Sequence, residues 1–354
     1  MKTLRPILML VSFLILTANA AAQTSPAPPA AQTPSSTPAS KPKAKPVAKK
    51  PATPAATPVP SATPTATVVP APAPDDPNVD LVYGAYQRGL YKTTFDLATK
   101  RAQENGDPKA MTMLGELYAN ALGVKRDDTK AASWFRRAAD GGDREAMFEL
   151  AMLRLAGRGG PANREEAAKL LASSAKLGNP KAAYNLALLY LDGQTLPQDL
   201  RRAAELLRLA ADAGNPEAQY ALATFYKEGT GVPKDIEKAV RLLQAASLAD
   251  NVDAEVEYAI ALFNGTGTPK NEPAAVALLR KAARQNNPVA QNRLARVLAS
   301  GQGTPVDKVE ALKWHLIAKT AGKGDPALDE ALANLSPEDR ARAETAVRKW
   351  LGAK

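Results

Sequence analysis

Few side chains in this sequence have the type and spacing that chemistry requires. The one histidine is His315, directly after Trp314. A lone imidazole cannot assemble a zinc site, which takes three or four protein ligands. The chain has no cysteine, so thiolate metal sites and cysteine nucleophiles are excluded. Ser173-Ser174-Ala175-Lys176 spells S-x-x-K, a pattern that activates a serine for acyl transfer, but the companion S-D-N and K-T-G elements are missing. Glu116 and Glu149 form the remaining pair. Two carboxylates flanking a sugar can hydrolyse its glycosidic bond, and side chains on helices roughly 10 Å apart can reach the separation required. Nothing in the sequence marks either glutamate as desolvated. The expectation is a protein without catalytic residues, cofactor or metal.

The elements that would position these groups repeat. Frames starting at Pro108, Arg144, Pro180, Pro216, Val252 and Pro288 align at a period of 36 residues without a gap, and a fixed period in this range predicts a helical repeat array. Position 3 is alanine in every frame, from Ala110 to Ala290, and position 24 is alanine from Ala131 to Ala311. Apolar residues at 3, 7, 10 and 11 mark one amphipathic helix, and those at 24, 27, 28 and 31 mark a second. Small residues at 8 and 24 let the two backbones approach. Each frame is thus a helical hairpin that buries its apolar face only against neighbours. His315 falls at position 28, which elsewhere holds Phe135, Leu171, Leu207, Leu243 and Leu279, so it reads as a packing residue.

The connections agree. Asn179-Pro180, Asn215-Pro216 and Asn287-Pro288 place a helix cap directly before a first-turn proline. Between the helices, GTGVPKD (229–235), GTGTPKN (265–271) and GQGTPVD (301–307) end one helix at glycine, block it with proline and cap the next with Asp235, Asn271 or Asp307. They are not phosphate loops, which follow a strand. The whole pattern, A-x-x-x-L-A-x-x-Y-x-x-G-x-G-x-P-x-D-x-x-x-A-x-x-L-L-x-x-A-A-x-x-G-N, resembles the Sel1-like repeat, a relative of the tetratricopeptide repeat. Frames 180 and 216 match it best, while frame 144 has Arg154 at the Tyr position and frame 252 loses both the Leu and the Tyr. The resemblance implies an all-α, right-handed α-solenoid over 108–323, with the first helices lining the concave side.

It also implies where a partner would sit. In tetratricopeptide relatives, positions 2, 5, 9 and 12 of the first helix line the groove. Those positions supply Phe148, Met152, Leu155, Tyr184, Leu188, Leu191, Tyr220, Lys227, Ile260 and Phe263, with Lys109, Glu116, Asn292 and Arg296 making polar ends. Apolar and aromatic residues within a polar rim suit recognition of a protein segment. Tyrosine at position 5 also belongs to the repeat consensus, so packing is the competing reading.

The flanks set the compartment. Lys2 and Arg5, the apolar run Ile7 to Thr17, and Ala18-Asn19-Ala20 predict a signal peptide over 1–22, and hence export to the periplasm, with a membrane tether if the signal stays uncleaved. Residues 23–79 hold sixteen of the 29 prolines and read as a disordered Pro/Ala/Lys-rich linker. Its cluster Lys41–Lys50 suits either a solvated spacer or adhesion to an anionic envelope surface. A capping helical pair is expected over 80–107 and capping helices over 324–354. Residues 80–354 carry 39 Lys and Arg against 34 acids, without a basic stripe, which argues against a nucleic-acid partner. The leading expectation is a periplasmic scaffold or regulator that binds a protein segment. An envelope-associated structural protein is the alternative.

Overall fold

The computed structural model of the chain describes residues 80–352. The signal-like segment 1–22, the linker 23–79 with Lys41–Lys50, and the last two residues lie outside the described residues. Among the described residues there are sixteen helices and no strand. α1 (Leu81–Gln87) and α2 (Tyr91–Asn105) precede six hairpins, which are α3 (Pro108–Ala119) with α4 (Asp128–Asp140), α5 (Arg144–Ala156) with α6 (Arg164–Lys176), α7 (Pro180–Asp192) with α8 (Leu200–Asp212), α9 (Pro216–Glu228) with α10 (Ile236–Leu248), α11 (Val252–Asn264) with α12 (Glu272–Arg284), and α13 (Pro288–Ser300) with α14 (Lys308–Thr320). The short α15 (Pro326–Ala331) and the longer α16 (Pro337–Trp350) follow. No helix among the described residues is long and apolar enough to cross a membrane.

Every repeat helix starts on an Asp or Asn whose side chain accepts from a backbone N–H of the first turn. First helices use Asp107, Asp143, Asn179, Asn215, Asn251 and Asn287. Second helices use Asp127, Asn163, Asp199, Asp235, Asn271 and Asp307. Each cap contributes about 1 kcal/mol by satisfying an otherwise orphaned donor. The second cap also closes the hairpin, because its own N–H donates to the carbonyl of position 11, as Asp235 does to Tyr226 and Asp307 to Leu298. The first loop glycine ends the helix in the left-handed region, as Gly229 does at φ 77°. The second lets repeats touch: a β-carbon on Gly231 would meet the Leu200 carbonyl oxygen of the preceding repeat.

Each helix packs chiefly on the one before and the one after it, which gives an α-solenoid with its core strung along the array. Ala146, Ala182, Ala218 and Ala254 at position 3 are fully buried, as are Ala131, Ala167, Ala203 and Ala275 at position 24. At the far end α16 skips α15 and packs on α14, where Trp350 meets Trp314 edge to face at 5.1 Å between ring centroids.

Candidate protein-binding face

In five of the six repeats, position 5 of the first helix faces the start of the next first helix. The Thr112 hydroxyl donates to the cap Asp143 at 3.0 Å. The Lys181 ammonium lies 6.0 Å from the centre of the Phe148 ring. Burial, and then the nearby charge of Glu217, holds the Tyr184 phenol above its ordinary range, and burial with Asp253 and Glu257 does the same for Tyr220. Asn292 donates to Asp325 at 3.3 Å. Position 5 is therefore a joint between consecutive repeats.

That placement divides the ten residues picked out from the sequence. Phe148, Tyr184, Leu188 and Leu191 are 8%, 7%, 5% and 4% exposed and belong to one central core cluster, with Met152 and Leu155 half-buried against it. Tyr220 is half-buried beside a second cluster around Ala223 and Leu243. Lys227 is exposed and bridges to Glu257 of the next repeat at 3.2 Å. Ile260 and Phe263 are half-buried and open into a cleft of about 190 Å³ between α11 and α13.

The floor of this cleft is apolar, made by Ala259, Ile260, Phe263, Leu279 and Val297, and its edge carries Asn264, Arg293, Arg296 and Gln302. Both arginines are exposed, and Arg296 bridges to the buried Asp325 at 2.5 Å. Sequence reasoning found Ile260, Phe263 and Arg296 but missed Arg293. It stands at position 6, facing position 9 of the preceding frame, the same spacing that brought Glu116 and Glu149 together in the sequence and that could have found it.

Glu116 and Glu149 occupy the same pair of positions at the other end of the array, and both are half-buried. Burial pushes the Glu116 carboxyl up to about 7, with Glu149, Glu145 and Asp143 pushing the same way and Lys181 opposing. Burial also raises Glu149, again against Lys181. The desolvation that the sequence did not mark is thus present in both glutamates.

The other chemical candidates have structural duties. His315 is fully buried, and its Nε2 lies 2.8 Å from Asp329, which also accepts from Lys319, so the imidazole ties the last repeat to α15. Ser174 is buried and donates to the Arg144 carbonyl at 2.7 Å, joining α6 to the start of α5 within one hairpin. Ser173 and Lys176 are exposed at the end of α6. Among the described residues no cluster of His, Cys, Asp or Glu could hold a metal ion.

A profile of the Sel1 repeat matches residues 108–143, 144–179, 180–215, 216–251, 252–287 and 288–323, the same frames that the sequence period defines. Among solved structures the chain is similar to a Sel1 repeat protein from Oxalobacter formigenes, at 26% identity and a TM-score of 0.59, over 68% of this chain and 98% of that one. It is also similar to a protective antigen present in uropathogenic Escherichia coli strains that displays an SLR fold, at 26% identity and a TM-score of 0.54. That match covers 74% of this chain and 64% of the antigen, so the chain spans less than two thirds of the antigen's length. No curated protein matches the chain.

Proposed function

Since the chain belongs to the Sel1 repeat family, we propose that it is an exported, periplasmic adaptor or regulator that holds a segment of another protein on its first-helix face. Proteins of this family typically act through protein–protein contacts. The observation that carries the reading is the cleft between α11 and α13. Between the third and fourth repeats the equivalents of Ile260 and Phe263, Leu188 and Leu191, are buried, and the neighbouring frame presents the small Ala221 and Thr224. At Ile260 and Phe263 the neighbouring frame offers Arg293 and Arg296 instead, and an apolar floor stays open beneath two cations. Aromatic and arginine residues around a small apolar pocket are the groups that dominate protein recognition energies. Export rests on the pattern of residues 1–22.

The test is a photo-crosslinking amino acid placed at Gln302 in cells that are then fractionated. The expected result is a discrete protein adduct in the periplasmic fraction that Arg293→Glu removes without changing the thermal melt. An adduct indifferent to Arg293→Glu, or no adduct, would overturn the reading.

A further inference from the structure

The repeat symmetry contains one unanswered charge. At the junction of the first and second repeats, Arg136 at position 29 forms an ion pair with Glu166 at position 23 of the next frame, and Arg154 reaches the same carboxylate at 3.1 Å. At the junction of the fifth and sixth, Arg280 at position 29 reaches both oxygens of Glu310 at position 23, each at 2.8 Å. Between the third and fourth repeats the arginine is again present, as Arg208, but position 23 is Lys238. Two cations thus occupy places that elsewhere hold a cation and a carboxylate.

The surroundings do not supply the missing charge. The Lys238 ammonium stacks 5.4 Å from the centre of the Tyr226 ring and bonds its own helix cap, Asp235, at 3.2 Å. Among the described residues neither Arg201 nor Arg208 makes an ion pair, and Glu205, the one acid lining this junction, is bonded to Arg202 at 2.8 Å. A cleft of about 230 Å³ lies here between α8 and α9, with Arg201, Arg208 and the already paired Glu205 at its edge and Leu222, Tyr226 and Val232 in its wall. It is separate from the first-helix cleft proposed above and does not depend on that reading.

We infer that this junction is a receptor for a glutamate or aspartate side chain of a partner protein, taken up where Glu166 and Glu310 sit in the sister junctions. A guanidinium binds a carboxylate through two parallel hydrogen bonds, and the exposed Arg208 has both edges available. The apolar wall receives a residue flanking the acid. The partner segment is therefore acidic with interleaved apolar residues, and it completes in trans an ion pair that two other junctions make in cis.

The full-length protein, labelled with ¹⁵N at arginine, would be titrated with acetyl-Leu-Glu-Leu-Glu-Leu-amide, with its glutamine counterpart, and with inorganic phosphate. The Arg208 and Arg201 side-chain resonances should shift saturably with the glutamate peptide at millimolar concentration, and at least fivefold more weakly with the other two probes. Lys238→Glu, which supplies the sister junctions' carboxylate, should weaken peptide binding at least tenfold, and Arg208→Gln should do the same. Both residues are exposed, so neither change removes core packing. Equal response to the glutamine peptide, equal response to phosphate, or binding unchanged in Lys238→Glu would each overturn the inference.

Discussion

The ring of Phe135 occupies the space into which a side chain at Gly115 would project. A β-carbon built on Gly115 would lie 2.5 Å from its Cε1 and 2.6 Å from its Cδ1. Positions 8 and 28 of this frame have exchanged volume. The other frames pair alanine at 8 with leucine at 28, as Ala151 with Leu171 and Ala187 with Leu207, or with His315 in the last.

Gly115→Ala should therefore destabilise the protein. Alanine gains about 1 kcal/mol of helix propensity over glycine, but overpacking a full core costs about 1–3 kcal/mol, and the fully buried ring has little room to give. Phe135→Leu alone should cost about 1 kcal/mol through the cavity it leaves. The double variant restores the pairing of the other repeats and should be at least as stable as the parent. Urea denaturation of the four proteins gives the coupling, and simple additivity would show that the two positions do not share volume.

Stability should fall as pH rises from about 4.5 to about 7. The Glu116 carboxyl, ordinarily near 4.5, titrates at about 7 in the folded chain. Between those values the folded state holds a proton that the unfolded state has lost, so raising the pH penalises the fold. The full effect is about 2–3 kcal/mol between pH 5 and pH 8, and Glu149, also raised, adds in the same direction. Urea midpoints at the two pH values should show the slope, and Glu116→Gln should remove most of it. A parent protein no less stable at pH 8 than at pH 5 would contradict the desolvation of this pair.

Lys281 holds a buried carboxylate in place. Glu255 is fully buried, and its only ion-pair partner among the described residues is the Lys281 ammonium at 2.6 Å, which also bonds Asp250. The equivalent residues Gln219 and Gln291 instead donate to the Ala211 and Ala283 carbonyls at the end of the preceding helix. An ionised glutamate cannot make that bond. Lys281→Ala should cost about 2–3 kcal/mol by leaving the charge unanswered. Adding Glu255→Gln should recover most of the loss. Thermal melts of the single and double variants decide it.

Ala121→Gly should stabilise the first hairpin. Ala121 has φ 56°, in the left-handed region, where the other five frames place Gly157, Gly193, Gly229, Gly265 and Gly301. Relieving the β-carbon there is worth about 0.5–1 kcal/mol, partly offset by the freer unfolded chain. A small rise in melting temperature is the expected result, and an unchanged or lower one would count against strain at this residue.

Everything that depends on the chain within one hairpin was legible in the sequence. The 3.6-residue spacing of Ala182, Leu186 and Leu189 predicts α7, Asn179 and Pro180 start it, and Gly193 ends it, because periodicity, capping and left-handed φ are local properties. The gapless period of 36 residues then placed all six repeats and their family. What a side chain faces across a junction is set about thirty residues away, in the register of one repeat on the next. Only the tertiary structure could decide that Tyr184 closes a joint, that Gly231 is small to admit the Leu200 carbonyl, and that Glu116 lies desolvated beside Glu149. The same register left Phe263 open beneath Arg293 and set Arg208 against a lysine instead of a glutamate.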